Sequence, residues 1–412
     1  MPSEPATPPA PSAPPAPPAR AGHTQTILVL ASAGFLSGVA MRVCDGLLPR
    51  LAADFAVTPG RAGWFVIAFS LAYCLMQLVF GPLGDRFGKA RMVTVAVIGC
   101  AVFAGASAAA PGFGTLMATR IGWGVAAAGV VPLILAWVGD AVPFEDRQPV
   151  LAKMLMGTIS GMMAGQLAGG LFADSAAGWR GAFATMAVAY VAVAVLMVVR
   201  LQPHRPQPPS GEPAPRGLKS WALVVEARFS RVVLAASFAE GVFLLGPLAF
   251  MPAMLHQRFG LSLSAAAGML VLYAVGGLVY AMLARWIIPR FGQVRMLEVG
   301  GVLMGLGFLG WLFSPVAWTA APVALAIGFG TYLFHNTLQA HATQMAPTAR
   351  GTAVALFAFM LFLGQSIGTL LAGFAFDHGG PVALLAAPAA MLTLTGVWVA
   401  MELRRHRPAG GA

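Results

Sequence analysis

The chain has 412 residues, of which 58% are hydrophobic and only 9% are charged. Soluble domains carry roughly 25% charged residues and divide once they exceed roughly 250–300 residues, so this composition excludes a water-soluble globular protein and requires a surface that faces lipid. The net charge of +11 could suit a nucleic-acid partner, but the basic residues are dispersed rather than gathered in one patch, and no such partner is expected.

In chain order, residues 1–24 are rich in Pro and Ala and lack a basic stretch running directly into an apolar one. They read as a disordered tail rather than a signal peptide. A membrane span needs about 20 mostly apolar residues. Such stretches occur near 25–48, 62–83, 92–110, 113–137, 150–172, 180–200, 231–254, 264–288, 296–314, 319–340, 351–373 and 381–401. They must be helices, because a lone strand leaves its backbone unsatisfied in hydrocarbon. The predicted architecture is an all-α integral membrane protein of twelve transmembrane helices. Residues 25–200 and 231–401 form two six-helix bundles, and 402–412 a short tail. Between the bundles, 201–230 begins as a Pro-rich linker and continues with Leu218, Trp221, Val225 and Phe229 at helical spacing, the pattern of an amphipathic interfacial helix.

Cys44, Cys74 and Cys100 lie in or beside apolar stretches at no ligand spacing, so core roles are expected and no disulfide framework, metal or cofactor. Most of the 25 Lys and Arg fall on one side of this topology, at Arg86, Lys89 and Arg91, at Arg285, Arg290 and Arg295, in 200–231 and at the C-terminus. Arg50, Arg61, Arg180 and Arg258 fall opposite, and Arg42 and Arg120 lie within spans. The bias places both termini in the cytoplasm.

The two halves repeat. Arg86–Met92 (RFGKARM) echoes Arg290–Met296 (RFGQVRM) at an offset of 204, and Gly161, Gly165, Gly170 and Asp174 echo Gly364, Gly368, Gly373 and Asp377 at an offset of 203. Six spans separate the copies, so the repeats are parallel and related by an axis along the membrane normal.

Four motifs stand out. Between spans 2 and 3 runs Gly81-Pro82-Leu83-Gly84-Asp85-Arg86-Phe87-Gly88-Lys89-Ala90-Arg91. Span 4 holds Leu116, Arg120, Gly124 and Ala128, and span 5 holds Gly157, Gly161, Gly165 and Gly169, small residues that let helices approach closely. Span 1 ends in Arg42-Val43-Cys44-Asp45-Gly46-Leu47-Leu48-Pro49. The first motif resembles the loop 2–3 signature of the major facilitator superfamily, and the others resemble span motifs of its twelve-span drug–proton antiporters. The likeness covers about residues 25–401. It implies that Gly81, Asp85, Arg86, Gly88, Lys89 and Arg91 belong to a latch that holds the halves together in the outward-open state. The second copy has Pro289 at the position of Asp85, and span 5 has Gly165-Gln166 where the antiporter pattern has Gly-Pro. The resemblance also implies that spans 1, 4, 7 and 10 line a central cavity. Asp45, Arg120 and Glu240 are then candidates for proton coupling, and Arg42, His335, Asn336 and Gln339 candidates for the substrate cavity. Gly364 and Gly368 repeat the packing role of the span 5 glycines.

Of the fourteen acids, Glu240 is the one clearly deep in a span, about nine residues or roughly 13 Å from its inner end. An acid within a membrane span is a functional candidate by default, and its expense as an anion suits cyclic binding of a proton. Asp45 could pair with Arg42 or Arg120; a pair with Arg120 is the expectation. There is no zinc spacing, no Gly-x-Ser-x-Gly elbow and no phosphate-binding loop. An enzyme is not expected, and without an ATP site the energy must come from an ion gradient. The reading is a monomeric, proton-coupled secondary transporter in a bacterial inner membrane, exporting small amphipathic molecules. A proton-linked uptake symporter for a sugar or organic acid is the alternative, with a passive channel or a membrane-embedded enzyme behind it.

Overall fold

The computed structural model describes residues 19–142, 144–200, 218–346 and 350–406. Among the described residues twelve helices cross the molecule, as the apolar stretches require. They are α1 (Ala19–Asp54), α2 (Trp64–Phe87, preceded by the turn Pro59–Ala62), α3 (Lys89–Ala108), α4 (Phe113–Ala127, continuing as Val130–Ala141), α5 (Phe144–Asp174) and α6 (Gly178–Arg200). In the second half, α7 runs from Arg228 to Phe259 in several pieces. The continuous Leu263–Phe313 holds α8 (263–291) and α9 (293–313), divided at Gly292, and α10 (Ala320–Ala342), α11 (Arg350–His378) and α12 (Gly380–His406) follow. No strand occurs among the described residues.

Helices outrun the apolar stretches because hydropathy measures the hydrocarbon layer whereas caps set helix ends. α1 begins at Ala19, inside the stretch read as a tail; residues 1–18 of that tail, the linker 201–217 and the last residues 407–412 lie outside the described set. A short helix, Leu218–Glu226, leads into α7.

Paired ends reveal the repeat. Thr58 and Ser262, 204 apart, are both extended N-caps whose side chains accept an amide hydrogen, from Arg61 and Ala265 respectively. Gly88 and Gly292, also 204 apart, take φ of 91° and 67°, a region open to glycine without strain, and each turns the chain back between spans.

Close packing within each half depends on the small-residue rows. A Cβ on Gly161, Gly165 or Gly169 would strike the α1 backbone at Phe35, Val39 or Val43, and one on Gly157 would press on Ala31. Gly364 and Gly368 of α11 meet Phe238 and Val242 of α7 in the same way, an offset of 203 on both partners. Between Val242 and Ser262 the offset grows to 204, and one structural feature supplies the extra residue. Gly241–Leu245 is a π-helical turn closed by the Gly246 amide on the Gly241 carbonyl. Such a turn holds one residue more than an α-turn, and such bulges concentrate at functional sites.

An even number of crossings puts both ends of the chain on one face, the terminal face. The halves meet on the opposite, distal face. There, Asp377 at the end of α11 accepts the Gly60 amide at 2.9 Å and the Thr58 hydroxyl at 2.5 Å, and Asp174 at the end of α5 accepts the amides of Leu263 and Ser264 at 3.1 and 2.8 Å. Deeper in, Ser70 of α2 bonds Ser366 of α11 at 2.8 Å and Tyr73 meets Phe362 edge-on at 4.9 Å. Toward the terminal face, nothing lies within 4 Å of a Cβ built on Gly81 or Gly351. The molecule is closed on the distal face.

Asp174 lies just beyond the expected end of span 5. Burial pushes its carboxyl up, but the Ser264 hydroxyl, the Ser264 and Leu263 amides and nearby His256 outweigh this and hold it below the ordinary carboxylate value. A depressed pKa means that its contribution is complete above the usual carboxylate range and lost only as pH falls through the lowered value. This contact therefore does not switch near neutrality.

Candidate central cavity

A cavity of about 200 Å³ lies between the halves. Its walls are mostly apolar and aromatic, with Met41, Met162, Phe69, Tyr73, Leu270 and Phe362 among them. Arg42 of α1 lies on the first-half wall, and Glu240 of α7 with His335, Asn336 and Gln339 of α10 on the second-half wall. All four expected cavity residues and one of the three coupling candidates thus gather at one site.

Glu240 is 2% exposed and both its oxygens lie 3.0 Å from His335 Nδ1. A buried carboxylate is tolerable only with a partner, and this one has an imidazole, itself able to gain or lose a proton near neutrality. The His335 ring also lies 5.5 Å from the Phe357 ring. The π-turn begins at the residue after Glu240. Asn336 is within hydrogen-bonding reach of the Tyr280 hydroxyl, and exposed Gln339 sits one turn beyond His335 towards the terminal face. Tyr273 and Tyr332 also stand in the cavity wall.

Two expectations need correction. Asp45 and Arg120 do not line the cavity, and their main bonds are not to each other. Asp45 is fully buried and its Oδ2 accepts from Arg42 Nη1 at 3.1 Å. Arg120, 1% exposed, gives its Nε–H to the Phe65 carbonyl at 3.3 Å and lies over the rings of Phe69, Trp123 and Phe183 at 4.4, 5.1 and 5.9 Å. The physical reason is rotational. Arg120 faces into the aromatic core of the first bundle, where cation–π attraction is strong because water is excluded. Asp45 takes the arginine three residues away on its own helix. Its Oδ1 and Arg120 Nη1 have no partner among the described residues, so the two charges attract without a direct bond.

The cavity is also not lined by spans 1, 4, 7 and 10 alone. α4 contributes nothing, while α2, α5, α8 and α11 supply much of the wall. These are the helices that seal the distal face, so closure there brings them into the wall. Tyr273, Gln166 and Gln365 escape a sequence reading for this reason, whereas Tyr332 lies on the expected α10 and its turn towards the cavity is set by packing. Polar residues on a glycine-rich, packing-type helix carry no sequence mark of facing a cavity.

The loop 2–3 motif folds back on the first half. Lys89 bonds Asp140 at the end of α4 and lies 3.7 Å from Asp85, whose side chain is 72% exposed. Arg86 sits 5.1 Å over the ring of Phe87, and Arg91 is exposed.

The repeat shows which charges belong to one half alone. Applying the offset of 203 that holds at Phe35/Phe238, Glu240 corresponds to Ser37. Applying the 204 that relates Gly124 on Phe69 to Gly328 on Tyr273, His335 corresponds to Val131 and Arg120 to Ala324. Beyond the bulge, Arg42 and Asp45 face the uncharged stretch Leu245–Ala249. The scaffold is duplicated, and each half carries an ionisable pair the other lacks.

Comparisons with known proteins agree with this fold. The sequence matches the family model of the Major Facilitator Superfamily over residues 30–369. It is 23% identical over 374 residues to the uncharacterized MFS-type transporter YceJ of Bacillus subtilis, covering 90% of this chain and 94% of that one. It is 26% identical over 323 residues to the class C tetracycline resistance protein of Escherichia coli, covering 74% and 78%. The fold superposes on the crystal structure of a D-xylose-proton symporter with a TM-score of 0.74 at 17% identity, covering 94% of this chain and 98% of that one. With two six-helix repeats closed around a central cavity and a family match across most of its length, the chain belongs to the Major Facilitator Superfamily and is a transporter of small molecules, not an enzyme.

Proposed function

We propose that this protein is a proton-coupled exporter of small amphipathic molecules, working as a monomer in the bacterial inner membrane with its terminal face in the cytoplasm. The observation that carries the reading is Glu240, a buried carboxylate in the cavity wall bonded to an ionisable partner from the facing helix. A proton and a substrate competing for this site would exchange across the membrane as the halves rock. The apolar and aromatic lining suits a substrate of low charge, and the bias of Lys and Arg supports the orientation. The class C tetracycline resistance protein among its relatives supports export. Asp45 and Arg120 are proposed to hold the first bundle together, and coupling passes to Glu240 and His335.

The test uses everted and right-side-out membrane vesicles given ethidium or tetracycline and an imposed pH gradient. Accumulation in everted vesicles that collapses with a proton ionophore is the expected result. Accumulation in right-side-out vesicles only, or uphill flux that survives the ionophore, overturns the reading.

The exposed loop 2–3 motif fits a latch that engages only when the terminal face closes. Asp85→Asn should slow transport while leaving substrate affinity within about tenfold, 1.4 kcal/mol. Titrated ligand-induced thermal shift reads the affinity, and a larger loss would place Asp85 in the binding site.

A further inference from the structure

The transport reading leaves the distal seal unexplained. Two carboxylates, Asp174 and Asp377, occupy equivalent repeat positions, 203 apart. Each ends a helix of one half and binds the N-terminal turn of a helix of the other. Asp174 takes the amides of Leu263 and Ser264, at the start of α8, and Asp377 takes the Gly60 amide and the Thr58 hydroxyl, at the start of the turn leading into α2. Gly60 and Ser264 are themselves 204 apart, so the same amide, two residues after the N-cap, is bound in both copies. Beside each clasp a glycine lets the backbones touch. A Cβ on Gly170 would lie 3.0 Å from the Ser264 Cα, and one on Gly373 would lie 3.0 Å from the Gly60 Cα.

A helix start offers unpaired amides and a partial positive charge, so a carboxylate there makes short charge-assisted bonds. Neither clasp serves the fold of its own bundle, because donor and acceptor lie in different halves. Their bonds exist only while the distal face is shut.

We propose that Asp174 and Asp377 are a matched pair of gate clasps that hold the distal face closed, and that both must release for the cavity to open there. Because each binds a different helix start, the pair resists rocking on both sides of the two-fold axis. A single clasp would leave the opposite edge free to part. This inference does not rest on proton coupling or on the direction of transport, and its test involves neither.

The experiment measures distances between spin labels on Pro111→Cys and Pro315→Cys, two exposed distal-loop sites 204 apart, in lipid nanodiscs. The three native cysteines are buried and stay unlabelled. The parent protein should show mainly the short, closed distance. Asp174→Asn and Asp377→Asn keep the side-chain volume and remove the charge. Each should raise the ratio of open to closed populations by about tenfold, equivalent to 1.4 kcal/mol, and the double variant by about a hundredfold. A distance distribution in the double variant that superimposes on the parent overturns the proposal. So does lowered thermal stability with no new long distance, the signature of a merely structural contact. If the double variant does not fold, the single variants decide by the same criterion.

Discussion

Glu240→Gln is expected to abolish gradient-driven transport while preserving exchange. Glutamine mimics the protonated carboxyl, fits the same space and still bonds His335, so the cavity keeps its shape. What is lost is the ability to take up and release a proton in each cycle. In proteoliposomes, flux driven by a pH gradient should fall by at least about a hundredfold, roughly 2.7 kcal/mol of coupling. Equilibrium exchange of labelled for unlabelled substrate, which needs no net proton movement, should stay within a few-fold of the parent. Both assays run on one preparation, so misfolding would depress them together. Retention of full gradient-driven flux would make Glu240 structural and move coupling to another residue.

The Arg42–Asp45 pair should dominate the stability of the first bundle's core. Asp45 is fully enclosed and depends on Arg42 at 3.1 Å. Removing one member of a buried pair leaves a bare charge and costs about 3–5 kcal/mol, whereas replacing both by apolar groups is often neutral. The second half is built that way, since Leu245–Ala249 carries no charge in the corresponding stretch. Asp45→Leu and Arg42→Met should therefore each destabilise the protein strongly, and the double variant should recover most of the loss. Unfolding in detergent, measured as a double-mutant cycle, supplies the coupling energy. Coupling of Asp45 to Arg42 should exceed its coupling to Arg120, which reaches Asp45 only through space. Additive effects of Arg42→Met and Asp45→Leu would remove the pair.

The sequence by itself determined class, span number and repeat. These follow from local quantities: about 20 apolar residues per crossing, the dearth of charge, and two motif copies at nearly one offset. The glycine rows were legible for the same reason, since Gly161 on Phe35 and Gly364 on Phe238 express a spacing written along one helix. Glu240 was legible as a costly acid deep in a span. Tertiary structure alone decided which way each helix is turned. Arg120 rotates into the aromatic core, Asp45 chooses Arg42, and His335 meets Glu240 from 95 residues away. One-dimensional spacing fixes a residue's depth in the membrane but leaves its azimuth to the packing of neighbouring helices. The sequence showed the offset falling from 204 at Arg86/Arg290 to 203 at Gly161/Gly364, whereas its earlier rise from 203 to 204 between Val242 and Ser262 emerged only from the structure, where the π-turn after Glu240 supplies the extra residue. Asp174 and Asp377 were likewise visible only as repeat markers. Their partners lie in the other half of the molecule, so their bonds arise only when the two bundles close against each other.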